Sequence, residues 1–159
     1  GIVSGVYGIK ISPSAANIEI RDVTFQACSV GLWATSVIGL IVDSCMFYNG
    51  EAAIQFESVI SALISNCQMV KNNRIDLNQP IVTISTSGNV TLENNIIAYN
   101  TTISNADGAS AIHISASSGI NLRNLDVNDN SATGTFAAVK IENSTSSLCQ
   151  NCNFNNNIA

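Results

Sequence analysis

Charge is what this sequence has least of. Only 11% of its 159 residues are Asp, Glu, Lys or Arg, and the polar role passes to Ser, Thr, Asn and Gly. Such a chain lacks the Glu- and Lys-rich faces of helical proteins and suits a β-rich extracellular one. Its six Lys and Arg residues are scattered through a chain of net charge −5, which leaves no basic cluster for a phosphate backbone and excludes nucleic acid as an expected partner. No run of 18 apolar residues occurs. The nearest, Val30 to Val42, is broken by Gly31, Thr35, Ser36 and Gly39 and alternates with period two, so no membrane span is expected. No basic n-region or apolar h-region precedes the first repeat, so any secretion signal is expected to have been removed or to lie outside this segment.

Histidine is scarcer still. His113 is the sole example, and it falls in a column with Lys10, Trp33, Gln55, Thr83 and Lys140 that reads as outward-facing, with no Ser or Cys nucleophile assignable to it. The five cysteines make an odd number. Cys45, Cys67 and Cys152 share one repeat column, which points thiols in parallel rather than at a common metal, so no metal and no cofactor are expected. Cys149 and Cys152 form a C-x-x-C pair without a redox-type βαβ context, which leaves a local disulfide or simple packing.

What the chain does have is repetition. Phe25, Phe47, Met69, Ile97, Val127 and Phe154 are each preceded by the same pattern: two alternating apolar positions, an outward polar residue, a small polar corner residue, then two more alternating positions. Inward pairs recur in sets of three. The first coil gives Ile9 and Ile11, Ile18 and Ile20, Val23 and Phe25; the fourth gives Val82 and Ile84, Val90 and Leu92, Asn95 and Ile97. Asn95 is the polar exception in its slot and must be hydrogen-bonded inside the stack. The corner between second and third strands carries Asp22, Ser44, Asn66, Asn94, Asn124 and Asn151, residue types that tolerate left-handed backbone and bond their neighbours, which predicts an asparagine ladder.

A repeat of 22 to 30 residues with no helical pattern cannot bury its apolar face alone, and stacking coils buries it while pairing every strand above and below. The expected fold is therefore an all-β, right-handed parallel β-helix solenoid of about six coils, three short strands each, forming a rod of roughly 30 Å at about 4.8 Å per coil. Residues 1–159 read as a single β-helix segment, part of a longer chain or docking end to end, because a bare end exposes strand edges and core. The outward column Arg21, Asp43, Ser65, Glu93, Arg123, Gln150 stacks opposite charges, as that register predicts.

The segments CMFYNGEAAIQF, LDVNDNSATGTFAAVKI and NCNFNNNIA resemble the Phe-x-x-Asn and Gly-Gly-Ala-Ile repeats of polymorphic outer membrane proteins and related β-helix surface proteins, with Phe47 to Gly50 and Phe154 to Asn157 in the expected slots. The chain is similar also to the broader pectin-lyase-like group, which includes polysaccharide-active enzymes and adhesins. The resemblance implies secretion or surface display. Three sequons agree with it, at Asn89, Asn100 and Asn143, with Asn100 the best placed for a glycan.

Two functional readings follow. The first is a non-catalytic rigid scaffold or adhesive filament component, extracellular or at the cell surface, contacting protein partners or further coils. A patch of outward apolar residues, Trp33, Ile41, Met46 and Leu63, is its candidate contact surface. The alternative is a lyase or glycoside hydrolase whose cleft lies in the long third connections, Val70 to Ile81, Ala98 to Ala111 and Asn128 to Ala138, with Asp76, Asp107 and Asp129 as its carboxylates. The signatures Asn-Thr-Asp, Asp-Asp, His-Gly and Arg-x-Lys of polygalacturonase-like enzymes are absent.

Overall fold

The computed structural model describes residues 2–74, 80–103, 109–133 and 136–158. Its strands stack in parallel, each coil pairing with the next in the register read from the alternation. Ile9 pairs Leu32, Leu32 pairs Ile54, and the same column continues through Val82, Ile112 and Val139. The third-strand column likewise runs Phe25, Phe47, Met69, Ile97, Val127 and Phe154. Period-two alternation sends these side chains to one interior, where Leu32, Ile54, Phe56, Ile84, Leu92 and Ile97 are fully buried. Phe25 and Phe47 stack there with centroids 4.5 Å apart. Burial of each such side chain contributes about 1.5–3 kcal/mol.

The corners explain why so little charge and so much Asn, Ser and Gly is needed. Four columns of six residues hold φ near +50 to +70°. One is Asp22, Ser44, Asn66, Asn94, Asn124 and Asn151, as expected for the second corner; two flank the first corner, beginning at Ser14 and Asn17; the fourth holds Ala27, Asn49, Lys71, Tyr99, Asp129 and Asn156. Left-handed backbone costs an ordinary residue about 1 kcal/mol and Asn or Gly much less, so the corner columns draw on those types. Many of these residues also keep the ladder intact by donating an N–H to the next coil, as Ser36 does to Glu57 O at 2.9 Å and Asn124 to Gln150 O at 3.0 Å.

One part of the architecture exceeds the three-strand expectation. The long third connections open with a further strand, Asn73–Arg74, Thr101–Ile103 and Ser131–Thr133, and these form a parallel sheet of their own. Coils one and two lack it: from coil one a single strand, Thr24–Thr35, runs straight from third position into first, and in coil two only residues 49–51 separate Met46–Tyr48 from Ala52–Glu57. Gly31 permits that tight passage: a Cβ there would lie 2.5 Å from Phe47 Cδ1 and 2.8 Å from Ala53 O.

Behind several left-handed residues the next side chain is polar and points inward, and its polar atoms build ladders within the core. At the third corner Asn72, Asn100 and Asn130 are 1–2% exposed. Asn72 N–H donates to Asn100 Oδ1 at 2.9 Å, Asn100 N–H to Asn130 Oδ1 at 3.1 Å, and Asn130 N–H to Asn157 Oδ1 at 3.2 Å. Their Nδ2 groups donate to the main chain of the coil below, Asn100 to Met69 O at 2.9 Å and Asn130 to Ile97 O at 2.9 Å. Serine does the same at the first corner, with Ser87 N–H donating to Ser117 Oγ at 3.1 Å and Ser117 N–H to Ser144 Oγ at 3.1 Å. At the second corner Asn95 is fully buried and bonded as expected, Nδ2 to Ile64 O at 2.9 Å and Oδ1 from Cys67 N–H at 2.8 Å.

The expected ladder on Asn66, Asn94 and Asn124 exists too, but on the solvent side, with Asn124 Nδ2 donating to Asn94 Oδ1 at 3.0 Å. The two ladders therefore differ in worth. Replacing Asn100 by Ala strands the buried Asn72 N–H and Met69 carbonyl and is expected to cost about 3 kcal/mol or more. Asn94→Ala is expected to cost about 1 kcal/mol. Urea unfolding of the two variants separates them, and equal losses would show that the buried ladder does not carry the fold.

Candidate functional site

The candidate carboxylates come first. Asp76 and Asp107 lie outside the described residues. Asp129 is half-buried at φ 52° in the third-corner column and donates its N–H to Asn155 O at 3.1 Å, so its visible role is that of a corner residue.

The apolar contact patch does not come together as one surface. Trp33 belongs to the first-strand column, between Lys10 and Gln55, and Met46 to the third-strand column, between Thr24 and Gln68. Ile41 and Leu63 lie on a different sheet, where they are direct register partners. Alternation had placed all four outward correctly, but outward on a β-helix means several different faces. Trp33 is instead covered from its own end of the rod: Tyr7 packs against it with centroids 5.0 Å apart, and Lys10 Nζ sits 4.3 Å from its ring centroid.

Ile41 and Leu63 floor a shallow groove of about 430 Å³, rimmed by Asn17, Ser61 and Asn89. Gly39, at φ +72°, creates the dip, since a Cβ there would lie 2.9 Å from Asn17 Oδ1. The groove offers aliphatic contact and hydrogen-bonding amides and hydroxyls. Its lining carboxylate, Glu19, is paired with Arg21. That composition can hold a ligand but supplies no acid–base pair or activated nucleophile among the lining residues.

Titratable groups on the outer faces pair both from coil to coil and along a strand. Arg21 Nη1 donates to Asp43 Oδ2 at 2.5 Å, the stacking that the sequence column predicts. Glu93 and Arg123 are register partners in the same column. His113 Nε2 donates to Glu142 Oε1 at 2.8 Å, and Lys140 Nζ lies 3.1 Å from Glu142 Oε2. Lys140 first and His113 second hold the Glu142 carboxyl below its ordinary value. His113 is thus hydrogen-bonded into a surface cluster around Glu142, with no nucleophile beside it in that cluster.

All five cysteines are free thiols. Cys67 Sγ donates to Ser65 O at 3.1 Å and Val42 O at 3.7 Å; contact with Cys45 and then burial keep it protonated, well above a thiol's ordinary range. Cys152 makes the equivalent bond to Leu122 O at 3.5 Å. Cysteine in this column therefore does what Asn95 Nδ2 does, donating to the coil below. Cys149 is pushed up to about 11, by burial and then by its contact with Cys152. Among the described residues no three His, Cys, Asp or Glu side chains gather as a metal site.

The sequons divide. Asn89 and Asn143 are exposed, whereas Asn100 is 1% exposed with both its amide hydrogens engaged, and Thr102 of its sequon is 3% exposed. Asn100 is a core residue, and the expectation of a glycan there is overturned. Its sequon looked accessible only because it opens a long connection. Secreted from a glycosylating host, the folded protein is expected to carry glycans at Asn89 and Asn143 and none at Asn100, read by peptide mass spectrometry after enzymatic deglycosylation in heavy-oxygen water.

Parallel strands, left-handed corner columns and internal polar ladders together define a parallel β-helix. Residues 2–101 match the family described as "Right handed beta helix region", and the chain belongs to that family. No curated protein matches it. Two solved structures of trypsin-treated QnrB1, a plasmid-mediated fluoroquinolone resistance protein, are similar at 13% and 14% identity, with TM-scores of 0.19 and 0.15. The alignments cover 96% and 97% of this chain and 90% and 92% of those chains, and at such TM-scores they bear on neither fold nor function.

Asp43 gives the outer face a pH signature. Ser65 Oγ at 2.7 Å and Asn66 Nδ2 at 2.8 Å donate to its Oδ1, and these bonds, then Ser44 and Arg21, lower its pKa. A carboxylate whose folded pKa is depressed contributes stability above its unfolded value near 3.9, and loses it as pH falls through the folded value. Thermal unfolding from pH 6 to pH 2 should thus fall more steeply for the native chain than for Asp43→Asn. Parallel curves would mean that Asp43 is not so paired in solution.

Proposed function

We propose that this chain is a non-catalytic, rigid segment of a secreted or surface β-helix protein, serving as a scaffold or adhesive rod. The carrying observation is how its ionisable side chains are used. Arg21 with Asp43, and His113 with Glu142, join neighbouring coils to one another, while Lys140 pairs Glu142 within its own strand, so these side chains reinforce the stack instead of converging on a reacting centre. The buried Asn and Ser ladders support the same reading, since they fix coil against coil along the axis. Secretion is supported by the low charge and by the exposed sequons Asn89 and Asn143. The groove over Ile41 and Leu63, and the end of the rod, are the surfaces through which such a segment would meet partners.

The test is turnover. Incubated with acidic and neutral polysaccharides, the chain is expected to release neither reducing ends nor unsaturated sugars. Sustained release that disappears in Asp129→Asn, Asp107→Asn or Asp76→Asn would establish the enzymatic alternative.

A further inference from the structure

One face of the rod turns aliphatic between polar neighbours. The outward column of the second strands reads Glu19, Ile41, Leu63, Thr91, Asn121 and Leu148. Coils two and three therefore set Ile41 beside Leu63 on the floor of the groove, with the small Gly39 and Ser61 two positions earlier. At the start of the same two strands Ile38 and Ile60, also register partners, are 58% and 46% exposed. Ala16, Gly88 and Ser118 hold that position in coils one, four and five.

The next outward column carries charge in an order that matches itself when reversed. It runs Arg21, Asp43, Ser65, Glu93, Arg123 and Gln150. Consider a half-turn about an axis lying in the face, parallel to the strands and midway between coils two and three. It lays a second copy on the first and exchanges coil one with coil four and coil two with coil three. Ile41 then faces the partner's Leu63, Ile38 faces the partner's Ile60 and Arg21 faces the partner's Glu93, each pair occurring twice. Asp43 meets the partner's Ser65 and Glu19 the partner's Thr91, so no carboxylate lies opposite another. Arg123 comes with Glu93, and the cluster of Glu19, Arg21 and Asp43 gains a carboxylate and a guanidinium together.

Other placements lose one column or the other. Centring the axis on coil three sets Arg21 against the partner's Arg123 and Asp43 against the partner's Glu93. Centring it between coils three and four sets Ile41 against the partner's Asn121. An axis along the rod lays Arg21 and Asp43 over the apolar starts of the strands.

We propose that this face is the interface of a symmetric dimer, in which a second copy of the chain docks antiparallel about the axis between coils two and three. The apolar column and the charged column select that register independently. Four coils of each copy overlap, about 19 Å across the strands and about 20 Å along them, which ranks the contact among weak, concentration-dependent interfaces. The proposal deepens the scaffold reading by naming what its groove meets, yet sugar release would remove that reading and leave the dimer standing.

The test is sedimentation equilibrium of the 159-residue chain from about 10 μM to about 1 mM, the range of a small interface. The native chain is expected to pass from monomer toward dimer. Ile41→Ser with Leu63→Ser is expected to weaken association by about tenfold or more. Ile38→Ser with Ile60→Ser, which alters only largely exposed side chains, is expected to act in the same sense. Arg21→Glu alone sets carboxylate against carboxylate in its own dimer, and Glu93→Arg alone sets guanidinium against guanidinium. Each is expected to associate more weakly, while an equimolar mixture of the two recovers affinity, because a mixed dimer places opposite charges together at both positions. Circular dichroism melts confirm that each variant is folded. Three results would overturn the proposal: a native chain that stays monomeric to the top of the range, association that neither serine pair weakens, or a mixture no tighter than its components.

Discussion

A solenoid turns its backbone inward at every corner, and an inward N–H with no partner costs more than a corner can return. The bond that resolves this is made by one short side chain to the main chain of the adjacent coil. Asn100 makes it in both directions at once, receiving from Asn72 and giving to Met69 O. Ser117 and Cys67 make the same kind of contact with less reach. Where coils carry the bond, it follows one spacing: one left-handed residue, then one small polar or sulfur-bearing residue facing in; in other coils the same slot holds an apolar residue such as Val37, Val59 or Leu125. The apolar interior fills the space that these corners enclose.

With the interior held this way, the outside is free to vary. The outward first-strand column passes through Lys10, Trp33, Gln55, Thr83, His113 and Lys140 with no shared chemistry, and the fold accommodates all six. The third connection varies in length for the same reason. Once the chain has cleared the ladder at Asn72, Asn100 or Asn130 it owes nothing to the corner, and a fourth strand forms where neighbouring coils both supply one. Function on such a scaffold is a matter of which side chains neighbouring coils bring side by side, as Ile41 and Leu63 are brought in the groove.

Strand register was legible because alternation has a period of two and a slip of one residue would bury Arg21, Asp43 and Glu93. Asn95 was legible for a related reason, since a polar residue in an apolar slot has to find partners inside. The buried third-corner ladder was not seen, although its signal was present: Asn72, Asn100, Asn130 and Asn157 each stand three residues after Met69, Ile97, Val127 and Phe154. Those asparagines belong to the Phe-x-x-Asn motif, which carries the resemblance to surface β-helix proteins and which also fixes the core. Asn100 was read instead as a glycan site because it opens a long connection, and Asn72 and Asn130 sit among Asn, Thr and Ser residues that hide them. The Trp33 patch failed differently. Alternation tells outward from inward but not which of several faces is meant, and that depends on how far the chain turns at each corner.

An order of events is written into the direction of the ladders. A coil leaving the ribosome cannot complete its own corners, because the oxygens that satisfy Asn72 and Ser87 sit on side chains some 30 residues further on, Asn100 and Ser117. Each coil is therefore finished by its successor. Folding of this rod trails synthesis by about one turn, and a chain stopped at any point keeps one coil, the newest, in an unfinished state.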